Sequence, residues 1–255
     1  MIDIQRAVNA FRFYLRRAYF RVHAIYDPST DIVLPNGASA MFNTSSGIER
    51  WRVETLVGEE ETIVKFLDHI QPSDVVYDIG ANIGMYACFV ATQLDSKDGH
   101  LVAVEPHPSN VQRLEENLRN NATCDFSVLE SALGDEEGEV KLVDEGDIPG
   151  VGTHQINQSG DIKVEQRSVD SLVSDSEIPP PDVVKIDVEG AEARVLEGFG
   201  DVLDTVRVLF CEIHPEMMED FGDDPESLES VLTDAGFSTI NRLERGGEYH
   251  IIARR

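Results

Sequence analysis

Two kinds of stretch alternate along the chain. One is a short unbroken apolar run that stops at a glycine or a carboxylate; the other spaces apolar residues three and four positions apart. The first kind predicts buried parallel strands and the second the helices that cover them. Val75–Gly84, reading Val-Val-Tyr-Asp-Ile-Gly-Ala-Asn-Ile-Gly, predicts a strand entering a tight glycine turn, with a helix over Met85–Leu94. Ahead of it, Gly58–Ile70 reads as a helix with Ile63, Phe66, Leu67 and Ile70 on one face and Glu59, Glu60 and Glu61 at its positive end. His100–Pro106 predicts a second strand. The helix after it carries Val111, Leu114 and Leu118 as its buried stripe and Ser109 with Gln112 as a capping box. Phe126–Gly134, Val183–Glu192 and Val206–Pro215 predict three more strands. A helix over Pro225–Ala235 is opened by Asp224 and Pro225 and closed by Gly236. Phe237–Leu243 and Tyr249–Ala253 read as a closing antiparallel hairpin.

This rhythm predicts an α/β fold: a Rossmann-like, mostly parallel seven-stranded sheet with a C-terminal antiparallel hairpin. Two regions depart from it. Val140–Val143 and Ile162–Gln166 predict an inserted β-hairpin over about residues 139–168, whose loop would either cover the site or run as an ordinary surface excursion. Residues 1–57, with the turn-rich Asp27–Gly37, form a helix-and-hairpin extension ahead of a main domain over 58–255.

Candidate chemistry gathers at the strand ends, where open α/β sheets bind ligands. Asp78, Gly80, Asn82 and Gly84 follow the first strand, and the two glycines would let the backbone approach a ligand closely. The run lacks the G-x-G-x-x-G spacing of a dinucleotide site. Glu105, at the tip of the second strand, is placed to accept hydrogen bonds from both hydroxyls of a ribose, which suits NAD and S-adenosylmethionine alike. Ser131 and Ala132, after the third strand, would line an adenine pocket. Asp187, Glu212 and His214 reach the same rim from two further strands. They would serve as a general base, with His214 or Asp187 taking the proton, or as ligands of a divalent cation. Their spacing matches no metal motif, so no metal is assigned.

Charge narrows the partners. The chain carries 48 acidic against 21 basic residues, a net charge of −27, and only five of its cations are lysines. Such a surface repels nucleic acid and has the composition of a protein adapted to a salty cytoplasm. Residues 1–26 run the other way at +4, with aromatic residues interleaved among five arginines. They suit either a peripheral membrane contact or docking on the protein's own acidic surface. No apolar run is long enough to span a bilayer and none forms a signal peptide, so a cytoplasmic or membrane-peripheral location is expected. Cys88, Cys124 and Cys211 are scattered and read as reduced core residues.

Five motifs in order resemble the FkbM family of methyltransferases: Asp78-Ile79-Gly80-Ala81-Asn82-Ile83-Gly84, Val104-Glu105-Pro106, Ala132-Leu133-Gly134, Ser168-Val169-Asp170-Ser171-Leu172 and Lys185-Ile186-Asp187-Val188-Glu189-Gly190-Ala191-Glu192. The last is the most specific. The resemblance runs from about Gly58 to His214 and implies a class I methyltransferase fold, S-adenosylmethionine as donor, and O-methylation of a sugar, glycan or other small hydroxylated acceptor. It further implies that Asp78, Gly80, Asn82, Gly84 and Glu105 hold the donor, with Asp187 beside it. A nicotinamide-dependent oxidoreductase and a non-catalytic nucleoside-binding module are the alternatives that the residues leave open.

Overall fold

A computed structural model describes residues 19–23, 26–143, 156, 160–245 and 247–255. Most of the basic segment 1–26 and of the loop 145–160 lies outside the described residues. Helical residues 19–23 are followed by a hairpin, β1 (Ser29–Val33) and β2 (Ser39–Asn43), then α1 (Gly47–Thr55) and α2 (Glu60–Leu67). The alternating core follows: β3 (Val75–Ile79), α3 (Met85–Ala91), β4 (His100–Val104), α4 (Pro108–Asn121) and β5 (Asp125–Leu129). An insertion, β6 (Ala132–Leu133), β7 (Gly138–Leu142) and β8 (Ile162–Arg167), leads through α5 (Val169–Ser174) back to β9 (Val183–Ile186). The remainder is α6 (Glu192–Glu197), β10 (Val208–Ile213), α7 (Pro215–Phe221), α8 (Pro225–Asp234), β11 (Thr239–Arg245) and β12 (Glu248–Arg254).

Seven strands pair in the order β11-β12-β10-β9-β3-β4-β5, parallel except for β12, which runs antiparallel to both neighbours. The sheet grows outward in both directions from β3 and β9, which makes the gap between their carboxyl ends its switch point. Alternation along each strand splits the core in two. Val76, Val183, Phe210 and Ile252 pack with α2, α3 and α4 on one face; Tyr77, Val184, Leu209 and Ile251 pack against α5, α6 and α8 on the other. All three cysteines are buried and unpaired by disulfide, as their scatter predicts.

Three expectations need correction. The third strand does not run from 126 to 134: it leaves the main sheet after Leu129, and Ala132–Leu133 pairs instead with β8 of the insertion. The separate strand β6 thus joins the inserted hairpin into a three-stranded sheet. The capping box of Ser109 and Gln112 does not form. Pro108 opens α4, and the Ser109 hydroxyl lies 2.9 Å from His107 Nδ1 instead. At α8, by contrast, Asp224 caps the Ser227 amide, Pro225 follows and Gly236 turns the chain at positive φ, as read.

The extension is a layer of the main core. Phe42 and Val53 are buried with Phe89 and Leu114. The β2 edge is satisfied by asparagines of α4: Asn121 accepts from Met41 N and donates to Met41 O, and Asn117 accepts from Asn43 N. Spaced four apart, these two amides face one side of the helix and stand in for a neighbouring strand. Asn117 also donates to Ile83 O at 2.8 Å, which ties the extension to the glycine turn.

Candidate active site

The glycine turn after β3 is shaped by backbone rather than by side chains. Gly80 N and Ala81 N both donate to Val104 O at 2.9 Å, and Gly80, Asn82 and Gly84 all have positive φ. A Cβ on Gly80 would lie 1.7 Å from the carbonyl oxygen of Asp187, so glycine is obligatory at this closest approach of β3 and β9. Glu105 completes the turn from β4. Its Oε2 accepts from Asn82 N, and its Oε1 accepts from His107 N and the Asn110 amide. Burial pushes this carboxyl up to about 7 even though all three donors favour its charged form.

A cleft opens above this turn. Gly80, Asn82, Glu105, Ser131 and Ala132 line it, as the sequence places them, together with Asp187 from the end of β9. Leu142 and Ile156 of the insertion wall it, and Arg52 reaches it from the extension. Two predicted donor contacts are placed elsewhere. Asp78 is wholly buried beneath the cleft, with Oδ1 3.2 Å from the Lys185 ammonium. Gly84 begins α3, where a Cβ would meet Leu114 at 2.8 Å; it makes room for helix packing rather than for a ligand.

The opposite wall is built from ionised side chains. Asp78 and Lys185 are direct partners across β3 and β9, and Lys185 Nζ also lies 3.3 Å from Asp187 Oδ2 and 4.7 Å over the Tyr86 ring. Burial disfavours the Lys185 charge, but Asp78, Asp187, Glu59 and Glu212 outweigh it and hold the ammonium more firmly charged than a free lysine. Lys185 opens the most specific of the five motifs, and sequence alone assigns it no role. The signal was present: a lone lysine between Val184 and Ile186 has no solvent to reach. Glu59, read as a helix-dipole charge at the head of α2, is buried and lines the cleft.

His214 sits behind this wall. It is 4 % exposed and absent from the cleft lining, with Nδ1 2.7 Å from Glu192 Oε1 and Nε2 3.9 Å from Asp187 Oδ1. Burial lowers its pKa, but the Glu192 hydrogen bond and the charges of Glu192, Asp187 and Glu189 outweigh that effect and raise it to about 9. Glu192, which also accepts from Gly190 N, therefore orients an imidazolium whose far side faces Asp187. The expectation that His214 faces the acceptor is corrected: Asp187 is the group that faces the cleft.

The comparisons with known proteins agree with this geometry. The methyltransferase FkbM domain model matches residues 78–239, from the buried Asp78 to the start of β11. This chain belongs to the FkbM methyltransferase family. It is 34% identical over 221 residues to the hexuronic acid methyltransferase AglP of Haloferax volcanii, covering 86% of this chain and 87% of that one. The 2-O-methyltransferase NoeI of Sinorhizobium fredii is 25% identical over 75% of this chain and 83% of its own. The 31-O-demethyl-FK506 methyltransferase FkbM of Streptomyces tacrolimicus is 25% identical over 87% of this chain and 95% of its own. This FkbM-family enzyme is thus a methyltransferase, and the oxidoreductase and non-catalytic alternatives fall away. No helix among its described residues is long and apolar enough to cross a membrane.

Proposed function

We propose that this enzyme binds S-adenosylmethionine against the Gly80–Asn82 turn and transfers its methyl group to an oxygen of a sugar or glycan acceptor. The residues fit the donor. The turn brings bare backbone to the cleft, Glu105 would offer a buried carboxylate to a ribose, and Ser131 and Ala132 line the same cleft, where an adenine would lie. When bound, the donor supplies a methyl carbon already made electrophilic by its sulfonium. The observation that carries the reading is Asp187: its carboxylate shares one cleft with the glycine turn, with Lys185 on one oxygen and His214 behind the other. An acceptor hydroxyl donating to Asp187 would be oriented by that bond, and its proton would pass to Asp187 as the methyl–oxygen bond forms. A protonated ether is a far stronger acid than a carboxylic acid, so a carboxylate suffices as the base. Lys185 and His214 hold that carboxylate from both sides. The sugar acceptor is supported by the AglP and NoeI relatives, whose names specify hexuronic acid and 2-O-methylation.

Incubating the enzyme with methyl-labelled S-adenosylmethionine and hexuronic acid-bearing glycans tests the reading. Label should enter an ether oxygen of the sugar in wild type and not in Asp187→Asn. Label found on nitrogen or carbon, or transfer unimpaired in Asp187→Asn, would overturn it.

A further inference from the structure

Next to Asp187 the same wall holds a second group of ligands that the transfer reaction does not use. Glu212 of β10 and His250 of β12 are direct partners across antiparallel strands, and Glu59 reaches them from the head of α2. One carboxylate oxygen from each glutamate and one imidazole nitrogen lie within 4.8 Å of one another. Each of the three residues is more than nine-tenths buried. His250 Nε2 has no hydrogen-bond partner and lies 3.4 Å from Glu212 Oε2. Two ligands held ~2.1 Å from one ion are ~3.0 Å apart at a right angle and ~3.4 Å apart at the tetrahedral angle, so this spacing suits a shared cation. Charge points the same way. Glu59, Asp78, Asp187, Glu192 and Glu212 stand with Lys185, the His214 imidazolium and the cleft-lining Arg52, five carboxyl groups against three cations, in a region where net charge is costly.

We propose that Glu59, Glu212 and His250 bind one divalent first-row transition ion, of the manganese or zinc type, in the inner wall of the cleft. Two carboxylate oxygens with one imidazole nitrogen favour such an ion over magnesium or calcium, which take oxygen alone. Glu59 is the ligand that also lines the cleft, so it marks the side from which the ion enters and on which it keeps open positions. Asp187, Glu212 and His214 also come within 4.8 Å of one another. That set is the weaker one: Asp187 Oδ2 is taken by Lys185, whereas His250 Nε2 has no hydrogen-bond partner.

The test is manganese binding by the full chain, stripped of metal and held in molar KCl so that the acidic surface does not retain the ion. Electron paramagnetic resonance should report one tightly bound Mn²⁺ per chain, and its spin-echo spectrum should show modulation from a ligand imidazole nitrogen. That modulation should persist in Asp187→Asn and His214→Ala and vanish in His250→Ala. Glu59→Gln should weaken binding by at least ~10-fold, no less than the loss of an outer-shell partner costs. If His250→Ala does not fold, the wild-type, Asp187→Asn and His214→Ala spectra decide alone. Absence of tight binding, binding without nitrogen modulation, or modulation lost in His214→Ala would each overturn the proposal.

Discussion

The two walls of the cleft are made by different means. The wall proposed to hold the donor is local: one turn of backbone, Gly80 to Asn82, pinned by Val104 O and Glu105 and backed by Asn117 of α4. The other wall is assembled from four neighbouring strands. Asp78, Lys185, Glu212 and His250 stand on the face where Val76, Val183, Phe210 and Ile252 pack, so each replaces an apolar residue in that layer. A backbone wall tolerates little steric change and feels pH only through Glu105. A wall of coupled charges should tolerate shape changes better and respond sharply to a lost or gained proton.

The largest effects should separate the two. Gly80→Ala should abolish donor binding or folding outright, because a methyl group cannot occupy a point 1.7 Å from Asp187 O; calorimetric titration and a thermal melt check this. If Gly80→Ala keeps donor affinity, the backbone account of that wall fails. Asp187→Asn should lower turnover by ~10²–10⁴-fold, the usual worth of a positioned proton acceptor, while donor affinity stays within a few-fold.

The pH profile comes next. If His214 acts as an imidazolium holding Asp187, turnover should fall as pH rises through about 9; were His214 itself the base, turnover should rise through the same range. His214→Gln should be slower and lack that limb. Stability has the same sign. A pKa raised above the unfolded value contributes stability that is complete below about 6.5 and lost as pH climbs through about 9. Wild type should therefore lose more stability across that window than His214→Gln, which urea melts at several pH values would show.

Smaller effects sharpen the donor wall. Hydroxyl donors favour a carboxylate, so S-adenosylmethionine should bind more tightly as pH rises through about 7, the value to which burial lifts Glu105. Glu105→Gln should flatten that dependence and cost ~1.5–3 kcal/mol of affinity, the range for a hydrogen bond to a charged group. The smallest expected change is general: molar KCl should raise the melting temperature by screening the net charge of −27. A melt indifferent to salt would remove the salt-adapted reading of the composition.

The sequence by itself determined the parallel strands, the helices between them, the closing hairpin and the glycine turn after β3. Each of these rests on neighbours along the chain: apolar runs, glycine at positive φ, a carboxylate at a strand tip. Five of the predicted residues, Gly80, Asn82, Glu105, Ser131 and Ala132, duly share one cleft with Asp187. Only the tertiary structure decided which way the remaining charges point. Asp78 and His214 were legible as strand-end polar groups, but the side on which each lies depends on register with β9 and on Glu192, twenty-two residues away from His214. The pairing of Glu212 with His250 depends on strand order, which places the last strand of the chain beside β10. Local pattern sets what each segment becomes, because propensity acts between near neighbours; which buried charges meet is set by long-range pairing, where no local rule reaches.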